Sequence, residues 1–294
     1  MLIKLTTILF LIKSFRLTNN KDLQTVFAYS WGDYGSPPHT SHFGMQAMMI
    51  YHFSDCGGYY PIGGASEIAL NIIPVIERAG GKVLVRASVD KILCTPDGTA
   101  CGVRVQKGSE HYEIQSPIVI SNAGIYNTFQ TLLPKEVAQK SYYSQIASSL
   151  KPGYAGISIF VGLNKSGKEL GLKPQNTWAF RNEEDCLKVM VEEFIEAKTV
   201  EDVIDKKVPL LFISFPSEKD PNWSTHHPER KDKSTVAIVT LGKWEWFSQW
   251  LDEPLKRRGD EYEGKYYSIQ LLSVHLFLLC SFILIDLFNN LFYF

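Results

Sequence analysis

Two groups of residues in this sequence have types and spacings that could support ligand binding or catalysis. Residues 162–168, GLNKSGK, resemble a phosphate-binding loop, but Glu169 stands where a hydroxyl would bind Mg²⁺, and its carboxylate would repel phosphate. His39, His42 and His52 lie close in sequence, yet no carboxylate or thiol stands at a spacing that completes a metal site. We therefore predict neither a nucleotide-phosphate site at this loop nor a metal site at these histidines.

Two further patterns point away from catalysis. His226 and His227 stand in a polar stretch, residues 216–233, and we expect both imidazoles to be solvated. No G-x-S-x-G segment is present, so the sequence has no candidate for the nucleophile turn of a serine hydrolase.

The composition excludes several classes of protein. The 294 residues carry 30 Lys and Arg against 31 Asp and Glu, a net charge of −1, so no nucleic-acid partner is expected. A mean hydropathy of −0.07 excludes a protein with many membrane spans. The five cysteines are scattered and indicate neither a disulfide framework nor a zinc site. Aromatic residues at 13% favour a fold that encloses a large apolar molecule.

Both ends of the chain are apolar. Residues 1–15 contain a short apolar run that resembles a signal peptide only loosely, because no small-x-small cleavage site follows it. Residues 269–285 contain no Asp, Glu, Lys or Arg and are long enough to cross a bilayer once. We expect an N-terminal extension at residues 1–24 and a hydrophobic C-terminal tail at residues 264–294.

The elements that must position the polar residues follow from periodicity. Residues 41–53 place three methionines and His52 on one helical face, a stripe more typical of core packing than of a ligand site. Residues 65–79 predict a second helix, kinked by Pro74 and ended by Gly80 and Gly81.

The strands fall into two groups. An antiparallel meander is predicted at residues 83–93, 101–106 and 111–121. Three strands that could form one sheet are predicted at residues 155–163, 209–215 and 235–241. An acidic helix is predicted at residues 183–197. The pattern predicts an α/β fold.

Three segments resemble one family of enzymes in their order and spacing. They are residues 59–64 (YYPIGG), residues 80–92 and residues 118–124 (IVISNAG). They are similar to the middle of the flavin-dependent carotenoid and retinoid oxidoreductases, which include phytoene desaturases, carotenoid isomerases and retinol-reducing enzymes. Residues 27–38 and 209–221 narrow the resemblance to the retinol-reducing members, and it covers residues 17–263.

The resemblance implies an α/β fold that forms part of a two-domain FAD enzyme. The implied parts are a substrate-domain segment at residues 25–62, a partial FAD-binding domain at residues 63–124 and a mixed-sheet substrate domain at residues 125–263.

The resemblance also implies the residues that meet the cofactor. They are Gly63, Gly64, Val89, Asn122, Ala123 and Gly124. The glycine pair would let a helix N-terminus approach the flat isoalloxazine, and Val89 would pair with the adenine edge through its main chain. Tyr60 is the candidate catalytic residue near the flavin, and His52 is a second candidate, as a proton relay.

The implied reaction is saturation of one polyene double bond of retinol. It implies FAD as cofactor, NAD(P)H or another electron donor, an apolar retinoid or carotenoid substrate, and association with the endoplasmic-reticulum membrane.

This chain departs from the family pattern at both ends of the cofactor site. It contains no G-x-G-x-x-G turn for the FAD pyrophosphate, and no glycine-rich flavin-contacting segment follows residue 263. We therefore expect the chain as given not to retain FAD and to be inactive. The alternatives are a carotenoid isomerase or desaturase, and a non-catalytic, membrane-anchored fragment.

Overall fold

A computed structural model describes the chain at residues 18–38, 40–150, 153–180, 191–199, 201–204, 208 and 210–250. The chain divides into two compact units, Met1–Ile68 with Gly153–Phe294 and Ala69–Pro152. The apolar runs at residues 1–15 and 269–285, and His39, lie outside the described residues. Within those residues, no helix is both long and apolar enough to span a membrane.

In the described part of the chain, three helices precede the first strand. They are α1 (Lys21–Ala28), α2 (Phe43–Asp55) and α3 (Ser66–Arg78), with a 3₁₀ turn at Tyr29–Asp33 between the first two. Both predicted helices are confirmed, and Pro74 lies inside α3. Gly80 follows with φ +83°, the left-handed conformation that commonly ends a helix and that glycine adopts without strain.

The inward face of α2 differs from the prediction. Met45 and Met48 are 38% and 53% exposed, so the interpretation of this stripe as core is wrong. The buried side chain is Gln46, whose Nε2 donates to the Phe27 carbonyl at 2.7 Å and to Ser30 Oγ at 2.8 Å. Main-chain and hydroxyl oxygens thus accept the hydrogens of Nε2, a pairing that hydrophobic periodicity does not predict, whereas the buried Oε1 meets no donor among the described residues.

An antiparallel meander forms the sheet of the second unit. Its strands are β1 (Ser88–Cys94), β2 (Ala100–Lys107) and β3 (Glu110–Gln115), in that order. The meander is confirmed, but β1 starts five residues later than predicted, and β3 ends at Gln115, six residues earlier than predicted. Arg86 has φ +53°, which interrupts the extended backbone ahead of Ser88.

An ion-pair cluster lies across the meander at an irregularity of β1. The pairing register shifts between Val89 and Lys91. Asp90, between them, accepts from Arg104 Nε at 2.9 Å and lies 3.1 Å from His111 Nε2. The hydrogen bond from Arg104 is the main reason that the pKa of Asp90 lies below its usual value. This cluster joins all three strands.

Short helices complete the second unit. They are a π-helical turn at Asn127–Leu132, α4 (Lys135–Ala138) and α5 (Tyr142–Ser149). Their buried residues are small, Ala138 and Ala147, at 3% and 1% exposure.

A four-stranded antiparallel sheet lies in the first unit. Its strands are β4 (Tyr154–Leu163), β5 (Thr177–Phe180), β6 (Leu210–Ser214) and β7 (Ser234–Lys243). The order is β4-β7-β6-β5, and β4 pairs with β7 over the full length of both strands. Three of the four strands match the prediction of one sheet. The short β5 was missed, because four residues are too few to show a strand period.

Buried and partly exposed residues alternate strictly along β7. Ser234, Val236, Ile238 and Thr240 alternate with partly exposed residues, as expected of a strand with one covered face. Thr240 Oγ1 donates to the Leu210 carbonyl at 2.8 Å, so this buried hydroxyl is paired. Ile238 and its neighbours on β4, β5 and β6 form the largest buried apolar cluster among the described residues.

Short helices flank the sheet in the rest of the first unit. They are α6 (Gly167–Leu170), α7 (Val191–Glu196), α8 (Glu201–Ile204), α9 (Pro216–Lys219) and α10 (Trp223–His226). The described end of the acidic helix predicted at residues 183–197 is α7, and the rest of that prediction lies outside the described residues. The stretch predicted as a polar loop, residues 216–233, contains α9, α10 and a 3₁₀ turn at Pro228–Arg230.

Candidate functional site

The glycine pair predicted to face the cofactor forms a tight turn directly before α3. Gly63 and Gly64 have φ +88° and +93°, values that other residues rarely adopt. Gly64 donates its N–H to the Pro61 carbonyl at 3.0 Å. A Cβ on Gly63 would lie 2.8 Å from Glu67 Cγ, whereas a Cβ on Gly64 would meet only Tyr60 Oη, at 3.8 Å. The main chain is therefore open to a ligand at Gly64.

A buried carboxylate holds this turn from the opposite side. Asp220 is 6% exposed and accepts a hydrogen bond from the Asn222 N–H at 2.9 Å, and the nearby Gly63 N–H also favours the ionised carboxylate and lowers its pKa. Its Oδ2 also lies 2.9 Å from His226 Nδ1. Asp220 thus ties the segment between β6 and β7 to the glycine turn.

The position of His226 corrects the sequence-based expectation. Its side chain is 38% exposed, but its Nδ1 is bound to Asp220, so the prediction of a fully solvated imidazole is wrong. His227 is likewise in contact with protein, because its ring centroid lies 4.1 Å from that of Trp223. The one-turn helix α10 brings His226 back toward Asp220, and this turn was predicted as loop.

Two backbone-to-hydroxyl bonds fix the segment that carries Asp220. Ser217 N–H donates to Thr235 Oγ1 at 3.2 Å, and Thr235 N–H donates to Ser217 Oγ at 3.1 Å. They join α9 to the start of β7. Because Pro216 also starts α9 with a fixed φ, Lys219 and Asp220 leave the helix in a defined direction.

Lys219 lies beside the predicted catalytic tyrosine. Its Nζ is 5.9 Å from the centroid of the Tyr60 ring and donates a hydrogen bond to Asn176 Oδ1. Burial lowers the pKa of Lys219. Tyr60 is 37% exposed, so part of its ring remains accessible. The arrangement places a cation against one side of the tyrosine.

The electrostatics of Asp220 lead to a pH-dependent stability. Burial alone would raise the pKa of Asp220, but the hydrogen bonds from His226 and from the Asn222 and Gly63 N–H groups outweigh it, so the pKa is lowered. The unfolded-state carboxyl has a pKa of about 3.9. A group with a lowered folded-state pKa stabilises the fold above the unfolded value and loses that effect as pH falls through the folded value.

We expect Asp220→Asn to lower the free energy of unfolding by about 1–3 kcal/mol at pH 6, because charged hydrogen bonds are lost. Below a pH of about 4 the difference from wild type should shrink, since the wild-type carboxyl then becomes protonated as well. Urea unfolding of wild type and Asp220→Asn, from about pH 6 down to about pH 2, measures this difference in the free energy of unfolding. A difference that stays constant down to about pH 2 would contradict the assignment.

The other predicted residues lie in separate places. His52 is in the last turn of α2, exposed, with its ring 5.6 Å from that of Phe53. Val89 pairs with Val105 in the meander. The turn with Asn122, Ala123 and Gly124 follows β3. Tyr60, His52 and the glycine pair belong to the first unit, whereas Val89 and residues 122–124 belong to the second. These site residues stay predictions.

The local backbone at two predicted positions fits a flat ligand. Gly124 has φ +86°, and a Cβ there would meet no atom within 4 Å, so the turn is open, as it is at Gly64. The Ala123 carbonyl accepts from Asn127 Nδ2 at 2.9 Å, which orders this turn. Each opening, taken by itself within its own unit, would let a flat ring lie against the main chain. The chain offers no G-x-G-x-x-G turn for the FAD pyrophosphate.

The loop that resembles a phosphate-binding motif has a structural role. Ser166 Oγ accepts from the Glu169 N–H at 3.3 Å, and Glu169 Oε2 accepts from the Ser166 N–H at 3.0 Å. This is a capping box at the start of α6. Among the described residues, no group of three or more His, Cys, Asp or Glu could hold a metal ion.

Sequence reasoning missed Lys219, Asp220 and His226 as members of the site. A signal was present in residues 209–221, where the polar string Ser-Glu-Lys-Asp follows an apolar strand and precedes a proline. Polar residues directly after a strand are commonly placed at a site by the sheet. The position of Lys219 beside Tyr60, and of Asp220 beside the glycine turn, shows which site that is.

Comparison with known proteins agrees with the resemblance seen in the motifs. All-trans-retinol 13,14-reductase of Danio rerio is 42% identical over 248 residues, which are 84% of this chain and 39% of that protein. A Danio rerio protein named inactive all-trans-retinol 13,14-reductase is 40% identical over 248 residues, again 84% of this chain and 39% of that protein. Phytoene desaturase of Neurospora crassa is 25% identical over 226 residues, 75% of this chain and 35% of that protein.

No protein-family model matches the chain. The chain spans about two fifths of the length of the curated retinol reductases it matches. The likeness nevertheless extends over most of the chain, and it confirms the predicted resemblance. The chain is therefore homologous to a segment of the proteins named all-trans-retinol 13,14-reductase and, more distantly, to phytoene desaturases.

Proposed function

We propose that this chain is part of a flavin-dependent oxidoreductase that saturates one carbon–carbon double bond of retinol. The observation that carries the proposal is the Gly63-Gly64 turn, which is open at Gly64 and held from behind by the buried carboxylate of Asp220. The names of the relatives at 37–42% identity supply the reaction and the substrate.

The fold proposed for the longer protein is a two-domain FAD enzyme. In that arrangement residues 63–124 contribute part of the FAD-binding domain, and residues 25–62 and 125–263 contribute the substrate domain. The mixed helices and antiparallel sheets of this chain are compatible with it. When bound, the flavin supplies a hydride to one carbon of the double bond.

The residues of this chain have separable roles in the proposed site. Gly64 leaves the main chain bare in the first unit, so a flat ring can lie against it there, and Gly124 does the same separately in the second unit. Tyr60, with Lys219 beside its ring, is the candidate catalytic residue. His52 stays the second candidate, as a proton relay. On α2, Met48 and Tyr51 are exposed at 53% and 65% and would suit contact with an apolar polyene.

We also propose NAD(P)H or another reductant as electron source and the endoplasmic-reticulum membrane as location. An apolar substrate that partitions into lipid supports a membrane setting. The uncharged run at residues 269–285 supports it as well.

Two alternatives concern the same scaffold. A carotenoid desaturase or isomerase is favoured by the likeness to phytoene desaturase. A non-catalytic, membrane-anchored fragment is the other alternative, and the 40% identity to a protein named as inactive shows that overall likeness does not imply turnover.

The expected product distinguishes these candidates. A full-length version that contains this chain should convert all-trans-retinol into a dihydroretinol two mass units heavier, under anaerobic conditions with a reductant. The same preparation should leave phytoene and all-trans-carotenes unchanged. Mass spectrometry and chromatography identify the products. A desaturated or isomerised carotene would instead support the carotenoid alternative, and an unchanged retinol would contradict the proposal.

The chain as given is expected to lose FAD, because it lacks the amide cradle that binds the pyrophosphate. Purified chain should be colourless after incubation with FAD and removal of the excess. A retained visible flavin band would show that the glycine turns hold the cofactor without that cradle.

A further inference from the structure

Asp220 is the buried acid of this region, and the proposed reaction leaves it without a chemical task. Its carboxylate is 6% exposed and, within the described part of the chain, is hydrogen-bonded to the Asn222 N–H and to Nδ1 of His226, with the Gly63 N–H nearby. An ionised carboxylate only accepts hydrogen bonds, so Nδ1 of His226 must carry the hydrogen. The Nε2 of a neutral His226 is then an acceptor.

The contacts of Asp220 reach both sides of the glycine turn region. On one side is Gly63. The next residue, Gly64, is open, and a Cβ placed on it would lie 3.8 Å from Tyr60 Oη. On the other side is His226, which is 38% exposed and therefore reachable from solvent or by a ligand. One carboxylate thus sets both a main-chain turn and the orientation of an imidazole. Carboxylate–histidine pairs fix the tautomer and direction of the ring in this way.

We propose that Asp220 is a positioning residue of this site, which holds the Gly63-Gly64 turn in its open conformation and fixes His226 as the Nδ1–H tautomer with Nε2 directed outward. His226 then presents a proton acceptor beside the turn, as an imidazole additional to the candidate His52. The role in catalysis rests on the proposed function, whereas the geometry does not.

The Asp220→Asn variant keeps the shape of the side chain but replaces one oxygen acceptor with an NH₂ donor. It therefore tests the tautomer of His226 by itself. In wild type, Oδ1 accepts from the Asn222 N–H and Oδ2 from His226. A main-chain N–H cannot change from donor to acceptor, but an imidazole can. The amide oxygen should therefore face Asn222 and the amide NH₂ should face His226, so the ring switches to the Nε2–H tautomer.

Nitrogen NMR of histidine-labelled full chain measures this switch without any cofactor or substrate. Wild type should show His226 as the Nδ1–H tautomer and Asp220→Asn as the Nε2–H tautomer. Asp232→Asn, an exposed acid in the same segment, is the matched control and should leave the ring unchanged. An unchanged tautomer in Asp220→Asn, or the Nε2–H form in wild type, would overturn the proposal.

Amide hydrogen exchange at Gly63 tests whether Asp220 stabilises the Gly63-Gly64 turn. Asp220→Ala should make exchange at Gly63 about tenfold faster or more, because its acceptor is removed. His226→Gln retains an N–H donor for Asp220 and should leave Gly63 within about threefold of wild type. Equal exchange in wild type and Asp220→Ala would overturn the proposal. Where Asp220→Ala does not fold, the Asp220→Asn tautomer decides.

Kinetics in a full-length version connect the geometry to the reaction. Asp220→Asn should lower kcat for retinol about tenfold or more and leave KM within about threefold, because binding surface is kept while orientation is lost. Equal kcat in both proteins would overturn the catalytic role. A wild-type protein that does not reduce retinol would contradict the proposed function alone, since the tautomer and exchange results do not depend on it.

Discussion

Replacing Trp246 with alanine is expected to lower the free energy of unfolding by about 3–5 kcal/mol, the usual cost of a large buried aromatic. The side chain is 1% exposed and its ring lies 5.2 Å from that of Phe194, edge to face. Its Nε1 donates to the Ala197 carbonyl at 3.0 Å, so the substitution also leaves a buried carbonyl without this partner.

Trp244 provides the matched control, because it lies in the same 3₁₀ turn and is 44% exposed. Trp244→Ala should change the free energy of unfolding by less than about 1 kcal/mol. Urea unfolding followed by far-UV circular dichroism compares the two without relying on tryptophan fluorescence. Similar losses in both variants would show that Trp246 does not anchor α7 and its neighbours to the sheet.

The second large effect is expected at Gly102 in the meander. A Cβ added there would lie 2.3 Å from the Ile114 carbonyl oxygen and 3.1 Å from Gln115 Cα. Both atoms belong to the main chain of β3, which pairs with β2 at this position, so a rotamer change cannot relieve the clash. Gly102→Ala should therefore destabilise the meander by about 2–3 kcal/mol.

Gly108→Ala tests whether the clash is the cause. Gly108 has φ +66° but open space around a Cβ, so only the conformational cost of about 1 kcal/mol is expected. Hydrogen exchange of the β2 and β3 amides measures the local stability in both variants. If Gly108→Ala cost as much as Gly102→Ala, the clash with β3 would not account for a larger loss at residue 102.

Most of the framework could be predicted from the sequence. Helices α2 and α3, the meander and three strands of the larger sheet follow from local periodicity and from turn residues that act over a few positions. The family resemblance also follows from short motifs, and the relatives confirm it. Periodicity did not predict β5, because this strand is short. It also did not predict the burial of Gln46, because that burial depends on acceptors distant in sequence.

The sequence alone determined that this is a mixed helix and sheet protein with a glycine turn at residues 63–64 and a segment related to retinol reductases, because these properties are encoded by residues close together in the chain. Only the tertiary structure decided that Asp220, more than 150 residues further on, lies beside that turn and is hydrogen-bonded to His226. The reason is physical. A hydrogen bond between distant segments depends on how the sheet and its flanking helices bring them together, and no local pattern records that.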